Sequence, residues 1–266
     1  ALFVLMLVLI VRGLTLPGAV DGLLYFLTPD LSKVTGTMLV DAMGLAFFSL
    51  SLGMGIMITY GSYVGRDTPL LGSSLWVIAL TVLTCFLAGL MVLPAVFAFG
   101  FDPSAGPGLT FITMPAVFAQ MAGGQLFAVL FFCLLLVAAL TSSVSLLEVV
   151  VSAVMEELKM PRRKAAWLVT LAVFLLGIPA SLSLGIWREY TLFGKGFFDL
   201  LDYLTSNLLM PLGEVLLALF VGWKVWPSVA AELSRHGKTP AWLGVMRGFC
   251  RYLAPVLILG ILVHNL

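Results

Sequence analysis

The sequence predicts an all-α protein that crosses a membrane several times, and three observations carry that prediction. Hydrophobic residues make up 61% of the 266-residue chain and charged residues 10%, with a mean hydropathy of +1.14. A soluble domain of this length needs a more charged surface to stay wetted. Several stretches reach the roughly 20 apolar residues a helix needs to cross the hydrocarbon core. The charges gather in the connections between those stretches.

Seven hydrophobic segments are predicted within a single polytopic membrane domain, 1–266, at about 1–11, 42–64, 73–100, 123–155, 165–187, 200–223 and 249–266. The first is half a span, because its apolar residues run straight into Arg12. It has no basic n-region and no small-residue cleavage site, which argues against a signal peptide. The sequence is therefore expected to start inside a helix, with upstream spans missing. Alternating the segments puts Arg66, Lys159, Arg162, Arg163, Lys164, Lys224, Arg235, Lys238, Arg247 and Arg251 on one side, ten of the 14 basic residues. That side is expected to be cytoplasmic. Arg12, Lys33, Arg188 and Lys195 fall on the other side, with acids that include Asp21, Asp30, Asp102 and Asp199. A multi-pass protein of the cell (inner or plasma) membrane is the expected location.

Between spans, Gly13–Val40 is expected to be a long outer connection. Phe101–Gly124 opens with a turn-rich string and then turns apolar around Pro115, as a lid that folds back into the protein. The loop Trp226–Trp242 is expected to carry a short surface helix. Cys85, Cys133 and Cys250 have neither metal-like spacing nor a disulfide partner and read as inert buried thiols. The net charge of +1 and the lack of a basic patch interleaved with aromatics exclude nucleic acid as an expected partner. His236 and His264, the two histidines, lie in a loop and at the last turn, and no HExxH or paired intramembrane aspartate is present. An enzyme is not expected.

The second segment reads AFFSLSLGMGIMITYGSY and gathers Ser49, Ser51, Gly53 and Gly55 near its middle. Glycine weakens a helix there and serine offers hydroxyls. A helix broken near 49–55 would expose backbone groups able to bind ions and a zwitterion. Close packing through small residues is the other reading. In the fourth segment, Thr141 and Ser142 lie three and four residues after Ala138, so their hydroxyls fall beside its carbonyl. Three neutral oxygens in one place suit a small alkali cation; interhelical hydrogen bonding is the alternative. Thr141, Ser145 and Glu148 form an i, i+4, i+7 stripe. Glu148 and Glu214 are carboxylates at membrane depth, hence either functional or structural hydrogen-bonding groups. Asp199 and Asp202 share a helical face near the outer end of the sixth segment and either close a gate or face water.

Four ordered blocks, Phe47–Asp67, Pro94–Phe118, Leu140–Glu148 and Asp199–Glu214, resemble the bacterial neurotransmitter:sodium symporter family, amino-acid transporters of the LeuT fold. The resemblance covers essentially the whole chain. It implies helices five to eleven of an inverted-repeat (five-plus-five) sodium symporter fold, a C-terminal fragment beginning in the fifth transmembrane helix. Phe48, Ser49, Ser51, Met54, Ser142 and Leu146 then match positions around the bound amino acid. Ala138, Thr141 and Ser142 match the eighth-helix half of the second sodium site, and Ser49 matches the first. Glu214 matches a tenth-helix carboxylate that supports the unwound region, and Asp199 or Asp202 the outer-gate acid.

The departures are equally informative. The position that commonly carries Asn or Asp at the first sodium site falls on Thr81, whose single neutral oxygen weakens the site. Chloride positions of the animal relatives fall on Leu45, Ser49, Thr81 and Cys85; Leu45 cannot coordinate an anion, so chloride dependence is not expected. Bacterial members usually place a carboxylate near that spot, and Cys85 does not supply one. The resemblance thus implies sodium-driven symport of an amino acid, with Met54 pointing to an apolar side chain. Sodium is co-transported and no organic cofactor is expected. The partners implied are the amino acid, the lipid bilayer and the missing N-terminal helices of the same protein. Two alternatives stand beside this reading: a non-transporting amino-acid sensor on the same scaffold, or a five-plus-five-helix symporter for another solute.

Overall fold

A computed structural model of the chain describes residues 2–65, 67–103, 108–234 and 242–265, with the side chains of His264 and Asn265 outside the description. Arg66, Arg235, His236, Lys238 and the middle of the turn-rich string at 104–107 lie outside the described residues. Thirteen α-helices are described: α1 (Leu2–Leu14), α2 (Ala19–Leu27), α3 (Gly36–Ser49), α4 (Ile56–Tyr63), α5 (Leu70–Ala98), α6 (Met114–Gln120), α7 (Gly124–Leu158), α8 (Arg162–Ser183), α9 (Phe197–Asp202), α10 (Met210–Leu219), α11 (Trp226–Leu233), α12 (Leu243–Gly248) and α13 (Ala254–Asn265). A π-helical turn at Tyr203–Leu209 joins α9 to α10 and another at Phe220–Lys224 extends α10, making one apolar helix, Phe197–Lys224, and a similar turn at Phe249–Leu253 joins α12 to α13. Among the described residues five helices are long and apolar enough to cross a membrane, or six if α1 and α2 count as one bent span. The chain is thus a multi-pass, all-helical membrane protein.

The first departure from the sequence reading lies at the start. α1 does not stop at Arg12 but runs to Leu14, then bends by 117° into α2. Arg12 is tolerated because its guanidinium is engaged: Nη1 donates to Thr15 Oγ1 at 3.0 Å and Nη2 to the Ala122 carbonyl at 3.3 Å. Pro17 cannot donate to a continuing helix, and Gly18 has a positive φ of 84°. The connection read as Gly13–Val40 is therefore largely helical, holding α2, a 3-10 turn at Leu31–Lys33 and the start of α3.

The chain divides into two compact units. The first comprises residues 1–34 and 76–143. Its core joins Met6, Leu9 and Ile10 of α1 to Met91, Ala95 and Val96 of α5, Met114, Val117 and Phe118 of α6, and Phe131 and Leu134 of α7. α2 crosses α5 at Gly22, where a Cβ would come 2.6 Å from the Leu93 carbonyl oxygen. Only glycine permits that approach, the means by which apolar helices pack closely. The short α6 turns its Met114, Val117 and Phe118 into this core, so the segment around Pro115 folds into its unit.

The second unit comprises residues 35–75 and 144–266. Val151 of α7 packs on Ala165 and Val169 of α8, and Val215 of α10 on Ala254 and Ile258 of α13, with Phe47 of α3 beside them. α7 ends at Leu158, Lys159 takes a φ of 48°, and Pro161 precedes α8, so the chain reverses within a few residues. Trp226–Leu233 forms the helix expected in the Trp226–Trp242 loop. Cys85 and Cys133 are exposed and Cys250 half-buried, not buried as their apolar flanks suggest. On a spanning helix an apolar neighbourhood in sequence is satisfied by lipid as readily as by protein.

Candidate functional site

The break in the second hydrophobic segment is the feature from which the site is built. α3 ends at Ser49 and α4 begins at Ile56. The last turn of α3 is closed by the chain itself: Leu50 N–H donates to the Ala46 carbonyl at 3.0 Å, Ser51 N–H to Phe48 at 2.9 Å and Leu52 N–H to Phe47 at 3.0 Å. Ser51, Gly53 and Gly55 then take positive φ values of 55°, 74° and 77°. Alternation into the left-handed region stops the helix from propagating. α4 restarts without a side-chain cap on its first N–H groups, so its N-terminal end presents the positive end of its dipole without a capping side chain.

α10 abuts this break. A Cβ on Gly53 would collide with Glu214 Cγ and sit 3.0 Å from the Met210 carbonyl oxygen, and one on Gly213 would sit 3.2 Å from the Gly53 carbonyl oxygen. Glu214 is 6% exposed. Its Oε1 has no hydrogen-bond partner among the described residues, an arrangement that is costly unless a donor or proton satisfies it. Glu214 also borders a groove of about 270 Å³ lined by Asp41, Phe47, Phe48, Asn207 and Met210 among others. Ser49, Ser51 and Met54 are half-buried at the break, and Phe48 is exposed.

The polar cluster of α7 is helical throughout. Thr141 Oγ1 donates to the Ala138 carbonyl at 2.8 Å, so a hydroxyl and a carbonyl oxygen stand together on one turn. Ser143 makes the same kind of bond to Ala139 at 2.7 Å. Ser142 and Leu146 are exposed on the helix. The oxygens are neutral and hard, the donor chemistry that suits sodium better than a transition metal.

Further along α7 the stripe makes contacts that sequence reasoning missed. Tyr60 of α4 donates to Ser145 Oγ at 2.6 Å. Tyr63, one turn on, donates to Glu148 Oε1 at 2.6 Å. Arg162 of α8 grips the same carboxylate with both nitrogens, Nη1 to Oε1 at 2.7 Å and Nη2 to Oε2 at 2.6 Å. A bidentate guanidinium–carboxylate pair is among the stronger polar contacts a protein makes. Glu148 is therefore not a lone carboxylate at membrane depth but the centre of a node tying α4, α7 and α8. The matching i, i+3 spacings of Tyr60/Tyr63 and Ser145/Glu148 were the available signal.

The remaining candidates lie on other elements. Thr81 and Cys85 lie on α5 in the first unit, and Leu45 is exposed on α3 in the second. Asp199 sits in the first turn of α9, and Asp202 accepts from Ser206 Oγ at 3.1 Å. Among the described residues neither aspartate is ion-paired.

Comparison with known proteins follows the same lines. A model of the sodium:neurotransmitter symporter family matches residues 1–266. The chain is 38% identical over 266 residues to an uncharacterised sodium-dependent transporter of Haemophilus influenzae, covering 100% of this chain and 58% of that protein. It is 40% identical over 236 residues to the sodium-dependent transporter YhdH of Bacillus subtilis, covering 89% and 52%. The crystal structure of MhsT in complex with L-phenylalanine superposes with a TM-score of 0.88 at 40% identity, covering 100% of this chain and 60% of that one. The chain thus spans little more than half the length of these two curated relatives.

Proposed function

The chain belongs to the sodium:neurotransmitter symporter family, and we propose that the full-length protein moves an amino acid with an apolar side chain into the cell, driven by sodium, through alternating access. The observation that carries this is the break between Ser49 and Ile56, with an uncapped α4 N-terminus. Such an end favours a carboxylate, while the carbonyls and hydroxyls of the break and of Ala138, Thr141 and Ser142 suit a cation. An amino acid presents both charges. MhsT, with the same helical fold over this region, was crystallised with L-phenylalanine, and Met54 at the break is compatible with such a side chain.

In this reading Phe48, Ser49, Ser51, Met54, Ser142 and Leu146 contact the amino acid. Ala138, Thr141 and Ser142 supply their half of the second sodium site, while Ser49 and Thr81 serve a weakened first. Glu214 braces the break. Asp199 or Asp202 serves the outer gate, and chloride is not required. Residues 1–266 act as one polytopic domain, because α5 and α7 each contribute to both units. Sodium and substrate binding together favour the occluded state by their differential affinity for it.

The test is uptake of radiolabelled L-phenylalanine by the full-length protein in liposomes carrying an inward sodium gradient. Uptake is expected to vanish when potassium replaces sodium, and uptake that persists unchanged would overturn the proposal.

A further inference from the structure

Between α8 and α9 the chain makes a short connection, LGIWREYTLFGKG (184–196), whose apolar side chains stand away from the protein. Ile186 is 80% exposed, Tyr190 75% and Phe193 90%. The connection is an ordered hairpin. Leu192 N–H donates to the Lys195 carbonyl at 2.8 Å, and Lys195 N–H returns the bond at 3.1 Å. Phe193 and Gly194 both take positive φ, 54° and 77°, the I′ pattern of a two-residue turn. Its base is pinned: Ser183 Oγ accepts from Phe198 N–H at 3.0 Å, and the Lys195 ammonium lies 4.7 Å from the Tyr203 ring centroid.

The first central position of a I′ turn favours asparagine, aspartate or glycine, since a bulky residue is disfavoured at positive φ. Phenylalanine there gains nothing from the backbone, and at 90% exposure little from packing. What it can reach is fixed by the helix before it. The 22 residues of α8 rise about 33 Å, close to the roughly 30 Å of a hydrocarbon core. The hairpin therefore leaves α8 at the lipid–water boundary, opposite the basic turn at Arg162–Lys164. Trp187 and Tyr190 are the residue types of the aromatic belt found at that level, and Arg188 can reach lipid phosphates.

We propose that this hairpin is a membrane anchor, with Phe193 at its tip inserting, alongside Ile186 and Tyr190, into the headgroup–acyl boundary of the leaflet at the C-terminal end of α8. The anchor holds the α8–α9 junction at a fixed depth. A spin label at Phe193→Cys, in full-length protein lacking other cysteines and reconstituted in phosphatidylcholine vesicles, reads that depth by power saturation. Oxygen is expected to relax the label several-fold more effectively than a water-soluble nickel chelate, the reverse of a label at Lys33→Cys. Because replacing Phe193 removes the inserting side chain itself, a label at Tyr190→Cys is measured with Phe193 intact and with Phe193→Gly, and is expected to move towards water in the second. Chelate access at 193 equal to that at 33 would place the tip in water and overturn the proposal. Shielding from both relaxants would overturn it too, by showing a protein surface over the tip.

Discussion

Glu214 lays its side-chain stem against the Cα of Gly53, so closely that a β-carbon at Gly53 would overlap it. The contact joins the only buried carboxylate among the described residues to the left-handed turn at the centre of the broken helix. Two independent constraints thus fall on Gly53: a φ of 74° and no room for a side chain.

Gly53→Ala is expected to abolish amino-acid binding by the full-length protein and lower its thermal stability. The left-handed backbone alone costs about 1–2 kcal/mol for a residue with a β-carbon. The added steric overlap is with a side chain and is therefore separable. Gly53→Ala combined with Glu214→Ala should recover the steric share of the lost melting temperature while keeping the backbone share. A double variant no more stable than the single one would show that the two residues do not meet as described.

The node at Glu148 predicts a measurable coupling. Arg162 is 60% exposed at its side chain while Glu148 is 13% exposed, so the pair is half in solvent. A double-mutant cycle over Glu148→Gln and Arg162→Gln should give a small coupling, far below the roughly 3–5 kcal/mol lost when a fully buried pair is broken. Tyr63→Phe removes a hydrogen bond to a charged acceptor and should lower stability on its own. Loss of the Tyr63 effect in the Glu148→Gln background, read by chemical denaturation, checks that both act through one carboxylate.

Much of the fold was legible because lipid imposes one simple requirement, that the backbone satisfy itself within helices. The break was legible for the converse reason: Ser51, Gly53 and Gly55 are clustered where an uninterrupted span would favour larger apolar residues. The Glu148–Arg162 pair was not legible. It depends on the reversal at Lys159–Pro161, which brings residues 14 apart in sequence into contact. Tyr60 and Tyr63 look like part of an apolar run, although each spends its hydroxyl on α7. α2 is hidden because Pro17 and Pro29 flank it as loop residues would, yet nine helical residues fit between them. Charge patterning likewise marks Arg12 as the end of a span, because a sequence does not show that a guanidinium has found a carbonyl.

The oxygens of Thr141 and Ala138, bonded at 2.8 Å, predict a sodium effect separable from folding. Thr141→Ala with Ser142→Ala should raise the sodium concentration for half-maximal uptake at least about tenfold, the equivalent of 1.4 kcal/mol. Thr141→Ser keeps the hydroxyl and should stay near the parent value. Helicity by circular dichroism should be unchanged in both, since neither hydroxyl is needed to continue α7. A doubly substituted protein with unaltered sodium dependence would remove these residues from the site.

Arg12 predicts how the short α6 is held. Its guanidinium donates to Thr15 and to the Ala122 carbonyl, and lies 5.7 Å from the Phe127 ring centroid. Ala122 follows α6 closely, and Phe127 lies in the first turn of α7, so one side chain ties the end of α1 to both ends of the α6–α7 turn. Apolar contacts of Met114, Val117 and Phe118 hold α6 itself in the core, and these survive when the cation is removed. Arg12→Gln should therefore leave the protein folded but speed amide exchange across 119–126, with little change at Met114–Phe118. Lys at this position keeps the charge over the ring but loses the fork that reaches two acceptors at once. Arg12→Lys should fall between the parent and Arg12→Gln in exchange rate, and equal exchange in all three proteins would show that the apolar contacts alone position the turn.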